Sequence, residues 1–115
     1  MVSKKLIDQL FRGSRSAVAF PLRAIYLNKV RAEGALPVQV LVSVSKRHFK
    51  HAVDRNRIKR QIREAYRQHK QLLCETVPED KQVLLAFVWL SNEHLPTQQV
   101  EDRVVNLLQR VAEKL

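Results

Sequence analysis

Hydrophobic positions change their period repeatedly along this chain of 115 residues, and each change marks an element. Over residues 3–12, Leu6, Ile7, Leu10 and Phe11 recur at helical spacing. They predict a short amphipathic helix that Ser3 caps and Gly13-Ser14-Arg15-Ser16 ends. From about Val18 to Val30 the pattern becomes extended, with Pro21 placing an edge or a bulge near its start. Arg31 to Pro37 contains Glu33-Gly34 and reads as a hairpin connection. Val38, Val40, Val42 and Val44 then alternate with Gln39, Leu41, Ser43 and Ser45. Period two with β-branched residues predicts a strand whose valine face meets a core. Its other face is left for solvent or a ligand.

Ala52 to Leu73 predicts a long helix. At roughly 100° per residue, Ile58, Ile62, Ala65 and Tyr66 share one arc. Lys59, Lys70, Arg63, Asn56, Arg67 and Arg60 share the arc beside it, and Asp54 is placed to cap the start. Val77-Pro78-Glu79-Asp80 breaks the helix. Gln82 to Leu90 is almost continuously apolar, as expected of a central strand covered on both faces. Ser91 to Pro96 turns into a last helix opening at Pro96 or Thr97, with Val100, Val104, Leu107, Leu108, Val111 and Leu115 as its apolar stripe. Strands interleaved with helices in so short a chain imply a small α+β sandwich. One domain, residues 1–115, is expected.

Charge sharpens the picture. Lys46 to Lys70 holds ten of the Lys and Arg residues against Asp54 and Glu64 alone, so this stretch supplies +8 of a formal net charge of +10. Three of the four histidines, His48, His51 and His69, fall there too. An ordinary exposed helix face mixes signs. A focused cationic patch is the footprint of a polyanion-binding surface, with nucleic acid foremost. Other chemistry is sparse. A single cysteine, Cys74, excludes an internal disulfide and a multi-cysteine metal site. Two glycines argue against a Gly-rich phosphate cradle. His48 and His51 lack nearby ligands for zinc and suit protonatable positions near phosphate. No nucleophile–base constellation or paired carboxylate site is recognisable. No apolar run follows Met1-Val2-Ser3-Lys4-Lys5, and Val83 to Leu90 is too short to span a bilayer. A cytoplasmic chain without a signal peptide or membrane partner is the expectation.

The run Asp54-Arg55-Asn56-Arg57-Ile58-Lys59-Arg60-Gln61-Ile62-Arg63-Glu64-Ala65-Tyr66-Arg67 is the most specific signal. Together with the preceding Ser43-Val44-Ser45-Lys46-Arg47, it resembles the protein subunit of bacterial ribonuclease P, and the flanking elements follow that family's order. The resemblance implies an α-β-β-β-α-β-α chain, with three helices around a four-stranded, mostly antiparallel mixed sheet. It also implies a left-handed crossover through the basic helix, where pattern alone would favour the right-handed connection. It implies RNA binding through Lys46, Arg47, Arg55, Asn56, Arg57, Lys59, Arg60, Arg63 and Arg67. Guanidiniums suit that role because they pair bidentately with phosphate and stack on bases. It further implies a cleft for the 5′ leader of precursor tRNA, lined by Phe11, Phe20, Tyr26, Val40 and Val42. Aromatic faces would stack bases there without regard to sequence.

The partners so implied are ribonuclease P RNA and precursor tRNA, with no obligate protein partner. Mg²⁺ is expected at the active site of the RNA, and no cofactor on the protein itself. The chain departs from the family at Leu41, where many members have glycine, and at Trp89, near where an arginine is common. It also departs at the glycine-free turn Arg47-His48-Phe49-Lys50-His51. Two other classes stay open. A ribosomal-type structural protein would bind ribosomal RNA without affecting tRNA processing. A DNA-binding regulator would lay the basic helix in a major groove.

Overall fold

The computed structural model describes residues 15–114. Four strands, β1 (Arg15–Ala19), β2 (Leu22–Val30), β3 (Val38–Val44) and β4 (Lys81–Trp89), form one sheet in the order β1-β2-β4-β3. Helix α1 (Ala52–His69), a single turn α2 (Gln71–Cys74) and α3 (Thr97–Lys114) complete the architecture. The predicted helix over residues 3–12 lies outside the described residues. The rest is the expected α+β order.

β4 takes the interior position because both of its faces are apolar. Val83, Leu85, Phe87 and Trp89 point to one side, Leu84 and Ala86 to the other, and all are buried. It pairs antiparallel with β2 from Leu22↔Trp89 to Val30↔Lys81, and parallel with β3 from Val38↔Val83 to Val44↔Trp89. Parallel neighbours need a crossover, and α1 with α2 supplies it.

Residues 31–37 are therefore no hairpin connection. β2 and β3 are separated by β4, and the segment passes over the end of that strand. Arg31 fastens it, with Nε donating to the Lys81 carbonyl (2.8 Å) and Nη2 to the Pro78 carbonyl (3.1 Å). Gln82, buried, donates to the Leu36 carbonyl at 3.0 Å. Gly34 turns the chain at φ +78°, a conformation that disfavours any side chain.

The extended stretch at 18–30 belongs to two strands, divided at the Pro21 position where an edge or bulge is expected. Phe20-Pro21 forms the tight turn between β1 and β2, whose register runs from Arg15↔Tyr26 to Ala19↔Leu22. The predicted helix at 52–73 is also divided, into α1 and α2 about Lys70. Asp54 does not cap α1. The N-cap position is His51, with no side-chain cap bond, and Asp54 instead meets His94 Nε2 at 3.2 Å. That contact ties the loop after β4 to the first turn of α1.

The helices cover one face of the sheet. Ile58, Ile62 and Ala65 of α1 join Val100, Val104, Leu107, Leu108 and Val111 of α3 in one core with Leu22, Ala24, Tyr26, Val38, Val42, Val44, Val83, Leu85, Phe87 and Trp89. Each large aliphatic side chain so buried contributes roughly 1.5–3 kcal/mol. Tyr66 closes the core edge-on to Phe87, with ring centroids 6.4 Å apart. Burial pushes its phenol up, and the Cys74 thiol 4.0 Å away adds to the shift. On the opposite face Ile25, Leu84 and Ala86 form a second, smaller cluster flanked by Leu27, Leu41 and Val88.

Of the five side chains expected to line a leader cleft, this arrangement keeps Tyr26, Val40 and Val42 on one sheet face, with Tyr26 and Val40 on either side of Leu85, but turns that face into the core. Tyr26 and Val42 are only 6% and 5% exposed, within the core beneath the helices, and Val40 packs against the same core. Phe20 stands apart on the β1–β2 turn, 66% exposed. Phe11 lies outside the described residues. Tyr26→Ala is expected to lower unfolding free energy by about 3 kcal/mol in urea titrations, as for other buried aromatics. Phe20→Ala is expected to stay within about 0.5 kcal/mol of the parent chain.

Candidate nucleic-acid interface

α1 is an amphipathic rod whose inner seam is held by the sheet, so the direction of every outer side chain is set by its angle from Ile58 and Ile62. Asn56, Arg60, Arg63 and Arg67 fall within roughly 60° of one another on the outward face. They span about 16 Å along the axis. Asn56, Arg57, Arg60, Arg63 and Arg67 are exposed, while Lys59 is half-buried at the edge of the face. Arg60 lies between two shallow depressions. One, of ≈ 370 Å³, is lined by Val53, Asn56, Arg60 and Arg63. The other, of ≈ 330 Å³, is lined by Arg57, Arg60, Gln61, Glu64 and Thr97.

The second depression sits in the angle between α1 and the start of α3. Gln61 makes that angle rigid, donating from Nε2 to the Thr97 hydroxyl (3.1 Å) and toward the Leu95 carbonyl (3.3 Å). At the C-terminal end of α1, His69 Nε2 meets Glu101 Oε1 at 2.7 Å. α1 is thus pinned to the start of α3 from its middle and from its C-terminal end, so its outer cations form a fixed array. Gln61 and Thr97 were not among the predicted site residues. Their contact depends on where α3 begins relative to α1, and no local pattern encodes that.

Glu64, the acid amid these cations, is engaged on its own helix. Arg67 grips it bidentately, Nη2 to Oε1 at 2.6 Å and Nε to Oε2 at 3.1 Å, and Gln68 adds a third bond. The Arg67 bonds hold the Glu64 carboxyl below its ordinary value. The pair is fully exposed and adds little to stability. Its effect is local: Arg67 carries a compensated charge, whereas Arg57, Arg60 and Arg63 have no ion-pair partner among the described residues.

Arg55 belongs to a different task. It lies on the seam side of α1, roughly 20° from Ile62. Its Nη1 donates to the carbonyls of both Phe49 and Lys50, each at 2.9 Å. Those bonds lock the turn between β3 and α1. Phe49 is buried there, with its ring 4.7 Å from that of His94. Ser45 shapes the same turn, accepting from the Arg47 amide on its hydroxyl (3.0 Å) and from the His48 and Phe49 amides on its carbonyl (3.1 and 3.2 Å). His48 Nδ1 meets Asn92 Oδ1 at 2.6 Å. A glycine-free turn thus closes by burying its aromatic residue and bonding its carbonyls. It leaves Lys46 and Arg47 exposed just ahead of α1.

Among the described residues, no three His, Cys, Asp or Glu side chains gather as a metal site. The His–carboxylate contacts at His69 and His94 join one element to another. No helix of the described residues is long and apolar enough to cross a membrane.

The ribonuclease P family model matches residues 1–112, essentially the whole chain. The chain belongs to the ribonuclease P protein family. The ribonuclease P protein component of Porphyromonas gingivalis is 36% identical over 107 residues, covering 92% of this chain and 77% of that one. The component from Chlorobaculum tepidum is 42% identical over 94 residues, covering 75% and 60%. The fold agrees with solved ribonuclease P proteins. That of Staphylococcus aureus superposes with a TM-score of 0.71 at 19% identity, over 96% of this chain and 93% of that one. That of Thermotoga maritima gives 0.70 at 18%, over 96% and 94%. As a member of this family the chain is a protein component of ribonuclease P, the ribonucleoprotein of tRNA 5′ processing. The ribosomal and DNA-regulator alternatives are not favoured.

Within this ribonuclease P component the basic face and the turn-locking arginine are separable by substitution. Arg55→Ala is expected to lower stability by roughly 1.5–3 kcal/mol in urea titrations, because two carbonyls lose a charged donor. Arg57→Ala is expected to leave the midpoint within about 0.5 kcal/mol.

Proposed function

We propose that this chain binds the catalytic RNA of ribonuclease P through the outer face of α1, and that the holoenzyme removes the 5′ leader of precursor tRNA. The observation that carries the residue assignment is the fixed array of Asn56, Arg57, Arg60 and Arg63, exposed and free of ion pairs among the described residues, beside two depressions. Lys59, Lys46 and Arg47 extend its field toward β3. Phosphates bring negative charge to the depressions, and guanidiniums meet them with paired donors. Asn56 both donates and accepts, so it serves a phosphate or a base edge.

Two RNAs that approach one another repel. A cationic protein between them lowers that repulsion and reduces the Mg²⁺ needed for assembly. The chemistry of cleavage belongs to the RNA with its Mg²⁺. The protein contributes electrostatics and position, and no side chain serves as general acid or base. Arg55 and Arg67 act indirectly, the first through the turn and the second through Glu64.

Two measurements test the proposal. Precursor-tRNA cleavage at low Mg²⁺ by a bacterial ribonuclease P RNA is expected to rise markedly when the protein is added, with no cleavage by the protein alone. Absence of stimulation despite salt-dependent RNA binding would overturn the assignment of substrate. The triple replacement Arg57→Ala, Arg60→Ala, Arg63→Ala is expected to flatten the log–log salt dependence of RNA affinity. The slope should change by roughly 0.7–0.9 for each phosphate that is no longer neutralised. An unchanged slope would remove this face from the interface.

A further inference from the structure

β1 is the outer strand of the sheet, and among the described residues its one strand neighbour is β2. A bare strand edge presents a row of backbone donors and acceptors and invites another strand. Here two of the acceptors, on Val18 and on Phe20 in the following turn, are occupied. Arg110 of α3 donates through Nη1 to the Val18 carbonyl, and Arg103 donates through Nε to the Phe20 carbonyl at 3.2 Å. In an antiparallel strand the N–H and C=O of one residue point to the same side. The Val18 N–H therefore faces the edge beside a carbonyl already taken by a cation.

Arg103 and Arg110 are seven residues apart and lie within roughly 20° on α3, with Lys114 continuing the row one turn on. Neither guanidinium has an ion-pair partner among the described residues. The helix's Asp102 and Glu113 fall roughly 80–100° to the side of Arg103. Each guanidinium keeps donors beyond the one it spends on β1.

Phe20 stands at the end of this edge, 66% exposed, with Val18 at 46%. Neither belongs to either core cluster. The edge thus offers donors, positive charge and one open aromatic face. An incoming protein strand would need carbonyl partners and would find guanidiniums on those of Val18 and Phe20. A single-stranded polynucleotide needs cations for phosphates and a ring for a base, and both are present. The edge lies at the opposite end of the strand order from β3, against which α1 packs.

We propose that the β1 edge, with Phe20, Arg103 and Arg110, is a second RNA-contact surface that takes a single-stranded segment. A base stacks on Phe20, and flanking phosphates meet the two guanidiniums.

The test uses the full chain and a fluorescein-labelled, eight-nucleotide single-stranded RNA, with binding read by fluorescence anisotropy. Phe20→Ala is expected to weaken affinity roughly fivefold or more, the effect of removing one stacked base. The double replacement Arg103→Gln, Arg110→Gln is expected to flatten the log–log salt slope by about 1.4 if each guanidinium meets one phosphate. Because that pair also braces β1, the unaltered chain provides the independent readout. Photocrosslinking to the same RNA carrying 4-thiouridine is expected to give adducts on the tryptic peptide Ser16–Arg23. Adducts confined to α1, with Phe20→Ala binding within twofold of the parent, would overturn the proposal. Self-association that Phe20→Ala abolishes while RNA binding is unchanged would also overturn it and assign the edge to a second copy of the chain.

Discussion

The structure depends on the complete burial of β4. A strand apolar on both faces is stable only between two neighbours and beneath a covering layer. That requirement sends β2 to one side and β3 to the other. It makes residues 31–37 a bridge rather than a hairpin and obliges the chain after β3 to return over the sheet. α1 is that return. Its position over the β3 half follows from the strand order, and so does the direction of its cationic face. The placement of that cationic face is a by-product of where one hydrophobic strand has to lie.

Rigidity is the second requirement. A row of guanidiniums repels itself, and an isolated helix bearing Arg57, Arg60 and Arg63 with few acids would gain little from local pairing. The sheet-facing seam holds α1 in place, and α3 braces it through Gln61–Thr97 and His69–Glu101. Binding then has less conformational entropy left to remove than it would on a mobile segment. The same logic accounts for Arg55. A charged residue on the seam side lies where the turn after β3 exposes two carbonyls, and it closes that turn.

Most elements were legible in the sequence because their periods are clean: valines at period two in β3, apolar positions at helical spacing in α1 and α3, and continuous hydrophobicity in β4. Neighbour relations were not legible, because period two reports which side chains share a face and says nothing about which strands adjoin. Val42 is instructive. The alternation puts it with Val38 and Val44 on the core side, while family resemblance puts it in a cleft. One strand face cannot serve both, and burial follows the alternation. Tyr26 carried no such signal, since a tyrosine suits a core as well as a binding surface. Arg55 did carry one, since its angle beside Ile62 already marks it as a seam residue. The basic face was visible as a charge run, yet its depressions depend on Val53, Gln61 and Thr97, whose convergence is tertiary.

The strand order also bears on how the protein is made. β2 precedes its partner β4 by about fifty residues, and β3 meets no strand at all until β4 arrives. On the ribosome the β1–β2 hairpin is the one part of the sheet able to close early. Until Trp89 has emerged, the valine face of β3 and the isoleucine seam of α1 have no finished surface to dock on. Non-local pairing of this kind slows folding and exposes hydrophobic strands to aggregation. Synthesis therefore passes through a stage in which the arginines are already exposed and the frame that aims them does not yet exist. Polyanions present in the translating cell meet an unaimed basic segment before they meet the finished basic face.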